Sequence, residues 1–196
     1  MRQVNLVDDT DKIIGQTDLL DAHRGDGKKH QAISLFLFHL KENGSFEFLL
    51  QQRSKEKIVG AFKWANSLCA NLIPEENHLQ CLKRRVLEEL GVKWQVNWFL
   101  REIAAFDYRV ACENGFCENE IDHFFVSILN TKSFSEFRLD LNPKEVADTI
   151  WLDWNLLKTK KIGDKILTPW TNLFLDNHKI IGQIDEVLQI WQKKNQ

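Results

Sequence analysis

Two glutamates separated by a single residue, Glu118 and Glu120, form a spacing that suggests a metal site. Side chains alternate between the two faces of a strand, so both carboxylates project to the same side if this segment is extended. Neighbouring carboxylates repel each other unless a cation lies between them or water surrounds them. A metal site is therefore the functional interpretation of the pair, and two exposed residues at a strand edge are the structural alternative.

Two histidines, His23 and His30, lie seven residues apart on either side of a loop that contains two glycines. Neutral imidazole is a common metal ligand, and two histidines close to an acidic pair would suit a divalent ion. The spacing alone does not assign them to a site, because histidines are also found on protein surfaces and in cores. Metal binding and an ordinary structural role both remain open for this pair at this point.

A helix is predicted over residues 74–90. Pro74 suits its first turn, because proline has no backbone N–H to satisfy there, and Gly91 suits the left-handed residue after its last turn. Apolar residues at three- and four-residue steps predict one buried stripe, formed by Leu79, Leu82, Val86 and Leu90. The charged residues on the opposite side predict a face in contact with water, and they are Arg84, Arg85, Glu88 and Glu89.

Residues 65–92, which include this helix, resemble the Nudix box. In that motif a glycine is followed by a glutamate, an Arg-Glu pair, an apolar residue, a Glu-Glu pair and a second glycine. Glu76 and Arg84 match the first two charged positions, and the residues that follow in register are Val86, Glu88, Glu89, Gly91 and Val92. Ala70 replaces the first glycine, and Arg85 replaces the glutamate after the arginine. Nudix hydrolases use that glutamate to hold metal ions against a diphosphate, and an arginine cannot be a metal ligand.

The sequence resembles one branch of the Nudix superfamily, the type I isopentenyl-diphosphate isomerases. Their box also carries Arg-Arg, and an Asn-Ser/Thr-x-Cys segment precedes it, as residues 66–69 do here. The likeness extends over residues 4–175. It implies an α/β (α+β) fold with a Nudix-like mixed sheet sandwiched between helices. It also implies an enzyme that interconverts isopentenyl diphosphate and dimethylallyl diphosphate.

The resemblance implies a role for each residue that matches the family pattern. The implied catalytic residues are Cys69, Glu120, Tyr108 and Trp170, and the implied substrate-binding residues are Arg53, Lys57 and Arg85. One divalent ion, Mn²⁺ or Zn²⁺, is expected at His23, His30, Asn71, Glu118 and Glu120, and Mg²⁺ is expected at Glu89.

Isomerisation of the double bond needs one proton added to an alkene and another removed two carbons away. An acid and a base must therefore face opposite sides of a flat apolar substrate, and Cys69 and Glu120 are the expected pair. Tyr108 is expected to orient the proton of Glu120. The indole face of Trp170 is expected to line the pocket and stabilise a carbocation by cation–π attraction.

Two departures from the isomerase pattern leave other functions open. Asn71 stands where the family has a third metal-binding histidine, and an amide oxygen is a poorer ligand than imidazole for a transition metal. Leu19 stands where the family often has a lysine that contacts the diphosphate. A Nudix hydrolase of a diphosphate-containing substrate is one alternative, supported by the acidic residues of the box and opposed by Arg85. A catalytically silent isoprenoid-diphosphate binder is the other, and Asn71 is its main support.

Hydrophobic patterning and turn signals predict the elements that position these residues. Strands are expected over residues 4–7 and 13–16 (a hairpin), 32–38 (buried on both faces), 46–52, 94–109 (one strand or two), 118–128 and 147–151. Further expectations are a short helix over 19–23 capped by Thr17 or Asp18, a turn at 112–115 and a helical turn after Asp153. A single domain over residues 1–196 is expected, with a C-terminal helix over about 184–195 packed on it.

Composition narrows the class of protein. The 196 residues carry a formal net charge of −2, which does not indicate a nucleic-acid surface. The four cysteines show no Cys-x-x-Cys spacing, so reduced thiols in a cytoplasmic protein are expected. No apolar run has the length of a membrane span. The expected partner is a small isoprenoid diphosphate, and the sequence does not predict an oligomeric state.

Overall fold

A computed structural model describes residues 2–96 and 98–195, which form one mixed sheet flanked by helices. The strands are β1 (Gln3–Val7), β2 (Ile13–Asp18), β3 (His30–Leu40), β4 (Phe46–Arg53), β5 (Trp64–Ala65), β6 (Leu68–Asn71), β7 (Phe99–Ala111), β8 (Cys117–Leu129) and β9 (Val146–Asp153). The helices are α1 (Leu19–His23), α2 (His78–Leu90), α3 (Thr131–Glu136), α4 (Trp154–Lys158), α5 (Pro169–Asp176) and α6 (His178–Asn195).

Strand β3 lies at the centre of the sheet. It pairs in parallel with β8, from His30 opposite Glu120 to His39 opposite Leu129, and antiparallel with β1, β4 and β6. All of its residues except Leu40 are buried, as its continuous apolar run predicts for a strand covered on both faces. The parallel pairing brings the beginnings of β3 and β8 together at one end of the sheet.

Alternation along β3 separates two hydrophobic cores. Phe36 and its neighbours on one face join Trp170 and the other apolar side chains of α4, α5 and α6. Leu35 and its neighbours on the other face join Leu82 and the apolar side chains of α2. The sheet is therefore enclosed by helices on both sides, which confirms the predicted mixed α/β sandwich.

The start of α2 differs from the prediction. The helix begins at His78 rather than at Pro74, because Asn77 caps it. The Asn77 side chain accepts from the Gln80 backbone N–H and the Gln80 side chain accepts from the Asn77 N–H, each at 2.9 Å. This reciprocal capping box satisfies two otherwise unpaired donors. Glu75 has a φ of 66°, which a right-handed helix excludes, so Pro74 lies in the turn before the helix.

The predicted faces of α2 are partly wrong. Leu79, assigned to the buried stripe, is 41 % exposed, whereas Arg85 and Glu89, assigned to the solvated face, are each 4 % exposed. Both charged residues are covered by segments distant in sequence, since Arg85 contacts Glu145 and Glu89 contacts Gln51 of β4. Neighbours that a helical pattern cannot reveal therefore bury this charged pair.

The predicted turns and caps agree with the structure. The β1–β2 hairpin is antiparallel, and Asp18 caps α1 by accepting from the Leu20 N–H at 3.0 Å. Asn114 and Gly115 turn the chain between β7 and β8 with φ of 61° and 71°, as an Asn-Gly pair favours. Gly91 ends α2 with a φ of 67°, as predicted.

Two further predicted boundaries differ from those observed by five residues or more. Strand β7 begins at Phe99 rather than at residue 94, and residue 97 of the predicted strand lies outside the described residues. Helix α6 begins at His178 rather than at about 184, because it follows α5 after a single residue. Asp153 caps α4 as predicted, by accepting from the Leu156 N–H. None of the helices in 2–96 and 98–195 has the length and apolar character that crossing a bilayer requires.

Candidate active site

Four predicted metal ligands meet where β3 and β8 begin. His23 ends α1, His30 begins β3, and Glu118 and Glu120 lie on one face of β8. His23 Nε2 is 3.0 Å from Glu118 Oε2, and His30 Nε2 is 3.3 Å from Glu120 Oε1. One ligand atom from each residue lies within 4.8 Å of the others. The parallel register of β3 and β8 thus gathers residues that are about ninety positions apart in the chain.

Backbone carbonyls orient both histidine rings towards this cluster. The Nδ1–H of His23 donates to the Leu19 carbonyl and the Nδ1–H of His30 donates to the Lys28 carbonyl, each at 2.7 Å. Each ring therefore turns its Nε2 towards the carboxylates, as metal-binding histidines commonly do. His30 Nε2 is buried and has no hydrogen-bond partner in the part of the chain that the structure describes.

The donor set fits a divalent ion. Two imidazole nitrogens and two carboxylates are suitable ligands for Zn²⁺ or Mn²⁺, and the His23–Glu118 and His30–Glu120 separations are close to the ~3.3 Å between ligands of a tetrahedral site. Burial would lower the pKa of His23, but the hydrogen bond and charge of Glu118 raise the pKa to about 9. Metal binding would therefore release a proton from His23.

Asn71 approaches the cluster as a hydrogen-bond donor. Its Nδ2 donates to Glu120 Oε1 at 2.7 Å, so the amide nitrogen, rather than the carbonyl oxygen, faces the carboxylate. In this arrangement Asn71 supports a charged Glu120 without binding an ion itself. A role for Asn71 as a metal ligand stays a prediction, and it would require the amide to turn over.

Glu120 is held in its charged form. Burial alone would raise its pKa, but the proximity of His30 and His23 lowers the pKa to about 2. Tyr108 adds to this by donating its hydroxyl to Glu120 Oε2 at 2.5 Å. Burial and the charge of Glu120 raise the pKa of Tyr108 well above its usual value, so Tyr108 remains a donor. The predicted contact between Tyr108 and Glu120 is therefore present, with the proton on the tyrosine.

Cys69 shares a cavity with Glu120. The cavity has a volume of about 310 Å³, and both side chains line it together with Asn71 and Glu118. Cys69 lies on β6 opposite Ser34 of β3, which places its thiol on the same face of the sheet as the carboxylates. Burial raises the pKa of Cys69 well above its usual value, and the charge of Glu120 adds to this effect. The thiol is therefore protonated at neutral pH.

A third buried acid, Asp122, was missed by the sequence analysis. It is fully buried, its Oδ2 accepts from Ser34 Oγ at 2.7 Å, and it lies within 4.8 Å of Cys69 and Glu120. Burial, and then the charge of Glu120, raises the pKa of Asp122 well above its usual range, which favours its protonated, neutral form. Side chains alternate between the two faces of β8, so the pattern that places Glu118 and Glu120 on one face also places Asp122 there. This pattern could have identified Asp122 from the sequence.

Cations line the same cavity. They are Arg2, Arg53, Lys57, Arg85 and Lys144. Lys57 Nζ contacts Glu145 at 2.7 Å, and Arg53 Nε donates to the Val59 carbonyl at 3.0 Å. A cavity with carboxylates and a thiol on one wall and several guanidinium and ammonium groups around it suits an anionic ligand with a compact apolar part.

Glu89, where Mg²⁺ is predicted, contacts other side chains in this structure, and its role as a magnesium ligand stays a prediction. Glu89 accepts from Arg85 through two guanidinium nitrogens and from Gln51 Nε2 at 3.2 Å. Arg85 also contacts Glu88 at 2.7 Å. Both oxygens of Glu89 therefore have partners, and Glu89 is not among the described residues that line the cavity.

Trp170 lies behind the cavity wall. It is 2 % exposed, belongs to the core around α5, and is not among the described residues that line the cavity. The guanidinium of Arg53 lies 5.0 Å from its ring centroid. The indole therefore supports Arg53 by cation–π attraction. A direct contact between Trp170 and a bound substrate stays a prediction.

Comparison with known proteins places this site in a family. The sequence model of the NUDIX domain matches residues 28–171. A Saccharopolyspora erythraea protein named Isopentenyl-diphosphate Delta-isomerase is 33 % identical over 87 % of this chain and 82 % of its own length. A Nocardia farcinica protein of the same name is 32 % identical over 85 % of this chain and 89 % of its own.

Solved structures share the fold at lower identity. The crystal structure of DR0079 from Deinococcus radiodurans has a TM-score of 0.66 at 17 % identity and covers 87 % of this chain and 96 % of that protein. The Nudix hydrolase RenU from M. smegmatis has a TM-score of 0.58 at 17 % identity, covering 83 % and 94 %. The fold is therefore the Nudix fold, and the chain belongs to the NUDIX domain family, among the proteins named isopentenyl-diphosphate Delta-isomerase.

Proposed function

We propose that this protein is an isopentenyl-diphosphate Delta-isomerase, which interconverts isopentenyl diphosphate and dimethylallyl diphosphate. The observation that carries the proposal is that a protonated thiol, Cys69, and an ionised carboxylate, Glu120, line one cavity together with several cations. The shared name of relatives that match most of this chain supports the same activity.

The protonation states support a specific direction of proton transfer. The Cys69 thiol donates a proton to the terminal alkene carbon, and the Glu120 carboxylate removes a proton from the carbon next to the one that bears the diphosphate. The double bond moves by one position and the diphosphate stays intact. The reverse reaction starts from the Cys69 thiolate and a protonated Glu120.

Substrate entry requires Cys69 and Glu120 to separate. In this structure the Cys69 Sγ and a Glu120 oxygen are within 4.8 Å of each other. A flat alkene between them needs about 7 Å, which is two van der Waals contacts of about 3.5 Å. We infer that the Cys69 side chain turns to another staggered rotamer when the substrate enters.

Asp122 is placed to restore the starting protonation state. After the forward reaction Cys69 is a thiolate and Glu120 carries a proton, so one proton must return. Asp122 lies within 4.8 Å of both groups and is itself a neutral acid. It can donate its proton to the thiolate and take the proton from Glu120, and these acidic protons exchange with solvent once the product has left.

A divalent ion is implied by the family, and His23, His30, Glu118 and Glu120 are the residues that would hold it. Such an ion would offset the repulsion between the two carboxylates and polarise the Glu120 carboxyl. Arg53 and Lys57 supply positive charge for the diphosphate. Lys57 must exchange its contact with Glu145 for one with the ligand.

A Nudix hydrolase is the second candidate, and the geometry of the box opposes it. Metal-assisted cleavage of a diphosphate needs carboxylates that face the substrate. Arg85 occupies one of these positions and binds both Glu88 and Glu89. A silent binder is the third candidate, since Asn71 donates to Glu120 where an imidazole ligand would otherwise stand.

The experiment follows the two reactions separately. The protein is incubated with isopentenyl diphosphate and a divalent metal in D₂O, and the expected product is dimethylallyl diphosphate that carries deuterium, without free phosphate. The Cys69→Ala variant should lose a hundredfold to ten-thousandfold in rate while remaining folded, because removal of a proton-transfer group typically costs on that order.

Two results would contradict the isomerase, and a third would contradict only the role of its thiol. Phosphate released from a nucleoside diphosphate derivative, at a rate unchanged by Cys69→Ala, would identify a hydrolase. Binding of isopentenyl diphosphate without product or deuterium exchange would identify a silent binder. Full isomerase activity in Cys69→Ala would leave the activity standing and refute the role of the thiol.

A further inference from the structure

A second cluster of ligand-type side chains lies on the other face of β8. Asp11 comes from the β1–β2 turn, His78 is the first residue of α2, and His123 projects from β8 on the side opposite to Glu120 and Asp122. One ligand atom from each lies within 4.8 Å of the others. None of the three belongs to the isomerase site described above.

His123 is held as a metal-binding histidine would be. Its Nε2 is 2.9 Å from Asp11 Oδ2, and its Nδ1 is 2.7 Å from Glu102 Oε1 on β7. A carboxylate on the far nitrogen fixes the ring and makes the near nitrogen a stronger ligand. Asp11 is fixed as well, because Gln31 Nε2 donates to its Oδ1 at 3.0 Å.

His78 completes the cluster from α2. Its ring stacks on His123 with 3.7 Å between centroids and an interplanar angle of 28°. His78 and Asp11 are both partly exposed, so an ion can reach them from solvent, while His123 is buried. Asp11 has a φ of 64°, an uncommon conformation for a residue with a side chain, and the turn that adopts it brings the carboxylate to the histidines.

We propose that Asp11, His78 and His123 bind a divalent transition-metal ion such as Zn²⁺, with Glu102 orienting His123. Two imidazoles and one carboxylate match the ligands of three-residue zinc sites, in which water takes the fourth position. Ligand atoms of a tetrahedral zinc site lie about 3.3 Å apart, so the observed 2.9 Å between His123 Nε2 and Asp11 Oδ2 needs to open by a few tenths of an ångström. The His78 ring must also turn out of its stack on His123 to direct a nitrogen at the ion.

The bound ion would join three parts of the fold. The side chains of Asp11, His78 and His123 bring together the β1–β2 turn, the start of α2 and the middle of β8. Hydrogen bonds from the His123 ring to Asp11 and Glu102 would explain those two contacts without an ion, but they would leave His78 with only its stacking contact on the ring. The dependence of metal binding on His78 therefore separates the two explanations.

The test uses Zn²⁺ alone and a variant that disables the isomerase site. In a His23→Ala, Glu118→Gln double variant, calorimetric titration should retain one equivalent of Zn²⁺, whereas the unmodified protein should bind two. Adding His78→Ala should abolish the remaining equivalent. At a free Zn²⁺ concentration of a hundred times Kd, the double variant should gain about 5–11 °C in Tm, and the His78→Ala triple variant should gain none.

Two further variants make the test specific. His178→Ala removes an exposed histidine that also begins a helix. Added to the double variant, it should leave both the one bound equivalent of Zn²⁺ and the gain in Tm unchanged. Glu102→Gln should weaken Zn²⁺ binding tenfold to a hundredfold, because it removes the group that orients His123. The proposal is overturned if the double variant binds no Zn²⁺, or if its one equivalent survives His78→Ala. It is also overturned if Glu102→Gln has no effect.

Discussion

Breaking the buried ion pair between Arg85 and Glu89 on α2, by the substitution Arg85→Gln, should cause a large and measurable loss of stability. Arg85 and Glu89 are each 4 % exposed, and without the guanidinium Glu89 keeps only Gln51 as a described hydrogen-bond partner. Removing one partner of a buried pair leaves an uncompensated charge and typically costs about 3–5 kcal/mol. For a chain of this length, that corresponds to a fall in Tm of roughly 6–20 °C.

Urea unfolding monitored by tryptophan fluorescence measures this loss. A matched control is Lys41→Gln, which removes a more exposed pair with Glu47 and should cost less than about 1 kcal/mol. Replacing both buried partners, as Arg85→Met with Glu89→Leu, should recover most of the stability, because no lone charge is left inside. The reasoning is refuted if Arg85→Gln costs no more than Lys41→Gln, since the pair would then be as solvated as the helical pattern predicts.

Three other predictions follow from the structure. Asp122→Asn keeps the size of the side chain but not its exchangeable acid proton, so turnover should fall at least a hundredfold in a steady-state isomerase assay while the circular dichroism spectrum is unchanged. Burial would raise the pKa of Glu145, but Lys57 and Arg85 lower the pKa to about 2, so the charged carboxylate stabilises the fold fully above its unfolded pKa near 4.5 and less as the pH falls. In urea unfolding, the stability advantage of the wild type over Glu145→Gln should therefore shrink by about 2 kcal/mol between pH 6 and pH 3. A constant difference would contradict this. Gly91→Ala should destabilise the protein more than Gly163→Ala in thermal unfolding. Both glycines have positive φ, but only at Gly91 would a Cβ clash with backbone, at the carbonyl oxygen of Asp140, and equal losses would show that the clash is relieved.

The clearest predictions from sequence were those with short-range causes. The alternation of β8 placed Glu118 and Glu120 on one face, and the apolar run of β3 indicated burial on both faces. The end of α2 at Gly91 was also predicted, because the left-handed backbone position after the last turn of a helix favours glycine. The choice of Pro74 as the start of α2 was wrong for an equally local reason, since the capping box between Asn77 and Gln80 satisfies more backbone donors than a proline does.

What the sequence by itself determined, then, is most of the elements, most of their faces and the family to which the chain belongs. Only the tertiary structure decided which charges are buried, because burial depends on what another segment places over a residue: β4 and Glu145 cover Arg85 and Glu89 of α2. The same holds for Asp122, whose protonated form is favoured by its burial beside Cys69. Asp11 and His123, 112 positions apart, meet because the β1–β2 turn folds over β8, and no periodicity in the chain carries that information.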